Sequence, residues 1–267
     1  MSDERVEYQI FPEMRAGGYP RGDHRMDYVV RVNSLLTPEM VVLDFGAGRG
    51  KWRHDPIPLR RWLGDFRGRC ARVIGADVDP AIETNPQVEE RIVLSPNKPI
   101  PLPDASVDLI TAFSVFEHIV DADFWAREMD RILRPGGWIC AWTPNRNGVV
   151  AISARLIPQR LHKAVLKIVE PRREDEDSFP PVYAMNSPAQ LRAVFDQSRY
   201  DHCVYAYDGR PFYHLDLVPA ARLWQAVYWL TPRPFKSYLS IFLHKKGDQP
   251  PRQPAWQVAP APLGSAA

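Results

Sequence analysis

One stretch constrains the fold more than any other: Val41-Val42-Leu43-Asp44-Phe45-Gly46-Ala47-Gly48-Arg49-Gly50. An apolar, β-branched run ends in an acid, and three glycines follow at alternate positions. This pattern reads as a buried strand feeding a tight turn that opens a helix. Without a Cβ, glycine takes backbone conformations closed to other residues and lets a ligand lie directly on the main chain.

A second acid narrows the reading. Arg72-Val73-Ile74-Gly75-Ala76-Asp77 is a further strand ending in a carboxylate. In a doubly wound sheet such an acid faces a ribose, whose hydroxyls it accepts from. Two features argue against a dinucleotide. Asp44 stands just before the first glycine, where a pyrophosphate would meet a negative charge. The interval from Gly50 to Asp77 also exceeds the roughly 20 residues of the dinucleotide fingerprint. A nucleoside with a cationic tail fits better.

Further strands are expected at Arg91 to Leu94, Val107 to Phe113, Trp138 to Trp142, His202 to Tyr207 and Tyr238 to His244. Helices are expected at His24 to Leu36 with Asp23 as cap, at Leu59 to Phe66, at Asp121 to Leu133, and at Pro188 to Phe195 opened by Ser187. Pro135-Gly136-Gly137 reads as the stop signal of the third of these. Strands alternating with helices imply a parallel sheet with its ligand at the carboxyl ends. Asp44, Asp77, Ser114 and Thr143 all fall at such ends.

The ordered motifs resemble the class I S-adenosylmethionine-dependent methyltransferases. Asp44 to Gly50 is similar to their first motif, and Gly75-Ala76-Asp77-Val78-Asp79-Pro80 to their second. Ile100 to Asp108, Phe116-Glu117-His118, Leu133-Arg134-Pro135-Gly136-Gly137 and Thr143-Pro144-Asn145 follow in the family's order. The resemblance covers about residues 41 to 145. It implies an α/β fold with a doubly wound, mostly parallel seven-stranded sheet, the last strand antiparallel, and a helical, aromatic-rich cap. It also implies S-adenosylmethionine as cofactor, held by Asp44, Phe45, Gly46, Gly48, Asp77, Val78, Asn97 and Ser114. In one place the chain departs from the family. Where an acid usually accepts from the adenine amino group, Leu94-Ser95-Pro96-Asn97-Lys98-Pro99 has none, leaving Asn97 as a substitute acceptor.

His118 follows the fourth strand near the expected methyl position and is the candidate general base, since imidazole titrates near neutrality. The competing reading makes Glu117-His118 a helix start that lines the donor. Arg53, His54, Arg60 and Arg61 read either as substrate contacts or as a solvated basic helix. Asp79 reads as a helix cap, and Asp104 and Asp108 as turn acids.

Residues 1–23 form a turn-rich lid segment and 24–246 the methyltransferase domain, with cap insertions at about 149–185 and 211–236. Residues 247–267 read as a disordered Pro- and Ala-rich tail. Leu215 to Leu230 is apolar nearly all round, as in a buried cap or an interfacial surface. Net charge is +2 over 267 residues, so no basic field calls for nucleic acid. Three scattered cysteines suit a reducing cytoplasm, and neither they nor the histidines have metal-ligand spacing, so no metal is expected. No apolar run approaches the roughly 20 residues of a membrane span. The expected function is methyl transfer to a small molecule, apolar or aromatic, with Trp224, Tyr228, Trp229 and Phe235 motivating that class. The alternatives are a nicotinamide dehydrogenase, a non-catalytic donor-binding scaffold, and an enzyme docked on a membrane through the cap to reach a lipid-linked substrate.

Overall fold

The computed structural model describes residues 2–149, 151–152, 181–209 and 217–247, the side chains of residues 2–5 excepted. Seven strands form one sheet: β1 (Val41–Phe45), β2 (Arg72–Asp77), β3 (Glu90–Val93), β4 (Val107–Phe113), β5 (Leu133–Pro144), β6 (Tyr200–Tyr207) and β7 (Tyr238–Lys245). Their order is β3-β2-β1-β4-β5-β7-β6. The first five run parallel, and β7 pairs antiparallel with both β5 and β6. Strand order reverses between β1 and β4, and ligands of open α/β sheets bind at such a point.

Among the described residues, helices α1 (Ser2–Ile10), α2 (His24–Leu35), α3 (Pro58–Gly64), α4 (Ala122–Ile132), α5 (Pro188–Val194) and α6 (Val218–Leu230) cover the sheet or its ends. Alternation along β1 shows how the two faces are built. Leu43 and Phe45 join a core with Ile110, Met129 and Leu191, beneath α4 and α5. Val42 joins the opposite core with Val29, Leu63 and Phe113, beneath α2 and α3. Tyr28, fully buried on α2, reaches Thr111 Oγ1 at 2.6 Å and donates to Cys140 O at 3.0 Å, which fixes α2 across β4 and β5.

Local sequence explains the helix starts. Asp23 Oδ1 accepts from Arg25 N and Met26 N, Asp121 from Phe124 N, and Ser187 Oγ from Gln190 N. Three expectations need correction. The turn-rich reading of residues 1–23 missed α1, whose neighbours Phe11 and Met14 are buried. Leu59 to Phe66 is instead Pro58–Gly64, because Pro58 can occupy a first-turn position without losing a needed N–H. The expected stop at Pro135-Gly136-Gly137 lies beyond the helix. α4 ends at Ile132, and β5 begins at Leu133 and carries those residues as an irregularity, its pairing with β4 jumping from Val107↔Leu133 to Leu109↔Trp138.

The cap helix is present as α6, but it is not buried all round. Ala221 and Tyr228 are its buried residues, whereas Leu223, Trp229 and Leu230 are exposed, as are Leu217 before it and Phe235 after it. Most of the 149–185 insertion, the start of the 211–236 insertion and the tail from 248 lie outside the described residues. No described helix is long and apolar enough to cross a membrane.

Candidate active site

The glycine bend is held from behind by its own main chain and by two amides. Gly46 N donates to Ala76 O at 2.7 Å and Gly50 N to Ala47 O at 3.1 Å. Asn85, fully buried, donates to Ala47 O at 3.1 Å, and Gln87 Oε1 accepts from Arg53 N at 3.1 Å. Gly46, Gly48 and Gly50 all have positive φ. Their surroundings differ. A Cβ at Gly46 would stand 2.3 Å from Val115 Cγ2, and one at Gly50 2.5 Å from Asn85 Oδ1. A Cβ at Gly48 would meet only Asp77 Oδ2, at 3.8 Å. Gly46 and Gly50 are thus required by packing, whereas Gly48 presents bare backbone to open space beside a carboxylate.

Asp77 is tied to that bend. Its Oδ2 accepts from Gly48 N at 2.8 Å and its Oδ1 from Asp79 N at 2.9 Å. The carboxylate is therefore fixed in direction, with lone pairs left for hydroxyl donors. Asp44 projects from β1 on the face of α2 and α3. Burial first, and then Asp77, push its carboxyl up to about 7 against the opposing pull of Lys51.

Lys51, which sequence reasoning passed over, organises the charges. From the short turn Lys51–His54 its ammonium donates to Phe113 O at 2.6 Å and lies 4.4 Å from the Phe113 ring centroid. Loss of water is the leading influence on it and lowers it to about 8; Glu117 is its strongest charged neighbour, followed by Arg25, Asp44 and Asp77. The residue as a whole is exposed, and the solvent screens part of that shift without reversing its direction.

After β4 the chain turns through Ser114, which has φ +59° and whose N–H donates to Trp142 O at 2.8 Å. That bend sends Glu117 inward. Its Oε2 accepts from Thr143 Oγ1 at 2.7 Å, and Thr143 Oγ1 in turn accepts from the fully buried Asn186 at 2.6 Å. Burial raises the Glu117 carboxyl above its ordinary value. The His118 Nε2 lies 3.9 Å from Glu117 Oε1, with the imidazole partly open to solvent.

Asp44, Gly48, Asp77, Ser114 and His118 therefore gather at the carboxyl ends of β1, β2 and β4. Phe45 is buried against Trp125 on the far face of β1, and Val78 is 42% exposed just beyond Asp77. Asn97 sits on an exposed loop after β3, with φ +62°. Arg60 departs from both readings offered for the basic insertion. It is 3% exposed and bonds Asp23 at 2.5 Å and Asp55 at 2.7 Å, tying the start of α2 to α3. Asp79 caps the turn at Ala81, as expected. Asp108 is a buried strand residue that accepts from Val41 N at 2.8 Å and pairs with Arg134. Among the described residues no cluster of His, Cys, Asp or Glu could hold a metal ion.

The family model described as "Methyltransferase domain" matches residues 43–141, which run from β1 into β5. Over these residues the chain is similar to that domain family. A Mycolicibacterium smegmatis protein named "Probable S-adenosylmethionine-dependent methyltransferase" is 42% identical over 80 residues, 28% of this chain and 30% of that relative. A Mycobacterium tuberculosis protein named likewise is 49% identical over 47 residues, 18% of this chain and 17% of its own length. The chain thus matches less than a third of the length of these curated relatives. S-adenosylmethionine is the cofactor in the names of these two relatives. The fold has solved counterparts. In the complex between the Haloferax volcanii Trm112 methyltransferase activator and a methyltransferase, the likeness covers 93% of this chain and 97% of the other, with a TM-score of 0.54 at 15% identity. The YcgJ protein from Bacillus gives 0.50 at 17% identity, over 85% and 99% of the two chains. These likenesses show the fold alone, an α/β sheet shared with those structures.

Proposed function

We propose that this chain transfers a methyl group from S-adenosylmethionine to a small-molecule acceptor, apolar or aromatic in character. The observation that carries the reading is Gly48, whose bare backbone faces open space beside the fixed Asp77 carboxylate. A nucleoside can lie on such a surface, and Asp77 keeps lone pairs for its ribose hydroxyls. Asp44 suits the donor's ammonium. In this reading Ser114, at the end of β4, is a further donor contact, Phe45 and Val78 flank the two carboxylates in sequence, and Asn97, on the loop after β3, is the acceptor for the adenine amino group. The donor supplies a methyl group on a sulfonium, which leaves by in-line displacement, so the main work of the protein is to position the two reactants. His118, partly open to solvent and beside Glu117, is the general base in this reading, taking a proton from an acceptor hydroxyl or amine.

Release of S-adenosylhomocysteine from purified protein supplied with S-adenosylmethionine and extracts of the native host tests this reading. Product formed above the protein-free control supports it. Saturable donor binding with no product from any extract would favour a donor-binding scaffold. Nucleic acid is not among the acceptors proposed, and the proposed place of action is the cytoplasm.

A second reading has its own observation. Leu217, Leu223, Trp229, Leu230 and Phe235 are exposed on or beside α6, and an apolar helix face of this kind suits a membrane interface. On this reading the same chemistry acts on a lipid-linked acceptor. Flotation with liposomes, compared between the full chain and a Trp229→Ser/Leu230→Ser variant, separates the two.

A further inference from the structure

A site for a sulfonium must also release a product that differs from the donor by one methyl group and one positive charge. The thioether product is neutral at sulfur, so a fixed negative charge nearby favours the donor and helps expel the product. Asp44 and Asp77 already have roles along the donor. Glu117 is unassigned by those roles.

Its construction suits a fixed charge. Glu117 leaves the turn after β4 as a buried side chain, and Thr143 donates to its Oε2 at 2.7 Å. Asn186 holds the Thr143 hydroxyl at 2.6 Å and also donates to Pro144 O at 3.0 Å. The main chain is fixed too, since Val182 N donates to Glu117 O at 2.6 Å. Such bracing is more than a helix start needs. On the other side of the turn, the Lys51 ammonium rests on Phe113 O and over the Phe113 ring, four residues before Glu117. A cation of this chain therefore lies over an aromatic face within electrostatic reach of Glu117, Asp44 and Asp77. A sulfonium seeks the same surroundings.

We propose that Glu117 is the residue by which this site tells the cationic sulfonium donor from its neutral thioether product, and that Lys51 is a cation that competes with the donor for the same negative surroundings. The inference rests on the donor reading given above. Removing the Glu117 charge should weaken the donor and spare the product. Removing the Lys51 charge should do the opposite, because a competing cation is then gone. Opposite effects from two neighbours are not what loss of packing produces.

Isothermal titration of S-adenosylmethionine and S-adenosylhomocysteine into the full chain, Glu117→Gln and Lys51→Met tests this. In Glu117→Gln, donor affinity is expected to fall about tenfold, the effect of roughly one charge-assisted contact, with product affinity changed less than about threefold on the same scale. In Lys51→Met, the ratio of donor to product affinity rises. A third titrant, an adenosyl analogue with a protonated amine in place of the sulfonium, follows the donor. If both variants shift donor and product equally, or leave the ratio where the unmodified chain has it, the proposal is overturned while the donor site stands. If the unmodified chain binds neither compound, the donor reading itself fails.

Discussion

Gly46 and Gly48 are two residues apart in one bend, yet alanine should do different things at each. Gly48 has φ +47° and Gly46 has φ +76°. A residue with a Cβ in the left-handed region costs roughly 1–2 kcal/mol. Stiffening the unfolded chain returns about 0.4–1 kcal/mol of that. For Gly48→Ala the account ends there, since only Asp77 Oδ2 lies within reach of the new methyl. For a domain of this size, ~1 kcal/mol lowers Tm by about 2–4 °C. For Gly46→Ala the methyl meets Val115 Cγ2 at 2.3 Å, and overpacking adds about 1–3 kcal/mol. A Tm loss of roughly 5–15 °C follows on the same scale. Donor binding should rank the other way. The methyl of Gly48→Ala stands where the nucleoside would lie, and a loss of about tenfold, ~1.4 kcal/mol, is expected. Scanning calorimetry and titration on the two variants provide both readings. A Gly48→Ala protein that binds the donor as tightly as the parent would refute the claim that this backbone faces the ligand.

Four further outcomes are expected. Asp77→Ala removes the partner of Gly48 N and Asp79 N as well as the acid facing the ribose, so donor binding should disappear from a calorimetric titration; unchanged affinity removes Asp77 from the site. Arg60→Met leaves Asp23 and Asp55 buried without their cation, at about 3–5 kcal/mol, so Tm should drop by roughly 10 °C or more; a shift of a degree or two would mean the cluster is open to water. Asp44 has a folded-state pKa raised to about 7 from 3.8. Its favourable contribution is therefore complete below the unfolded value and lost as pH rises through about 7, and Asp44→Asn should gain stability relative to the parent between pH 5 and pH 8; a pH-independent difference in Tm contradicts the buried acid. His118→Ala should slow turnover by roughly 10²–10⁴-fold if the acceptor must lose a proton, with donor affinity held; an unaltered rate assigns the imidazole to the wall of the site.

Alternation and motif order made the framework legible. Val107 to Phe113 appears at its expected bounds, and Asp23 and Ser187 cap the helices that their positions predicted. What escaped is instructive. Asn85, Gln87 and Lys51 stand in short turns without periodicity, so nothing in their spacing marks them, although they brace or charge the glycine bend. Arg60 read as one base among several because its two acids lie five residues before it and 37 residues before it, a distance that only the packing of α2 on α3 closes. The Pro-Gly-Gly stop misled for a related reason. A left-handed Gly136 ends a helix in isolation, but here pairing with β4 and β7 draws the chain into the sheet from Leu133. Glu117 is marked only by its burial, which the sequence does not show: a buried acid is costly unless it has a task or a partner.

On the function proposed above, a side-chain-free bend at Gly48 and two strand-end carboxylates, Asp44 and Asp77, grip an adenosyl sulfonium. Equilibrium titration of the purified chain with S-adenosylmethionine, with NADH as the comparison ligand, tests it most directly. Saturable one-to-one binding of S-adenosylmethionine in the micromolar range and none of NADH is expected. Binding of NADH alone, or no heat from S-adenosylmethionine at millimolar concentration, would contradict it.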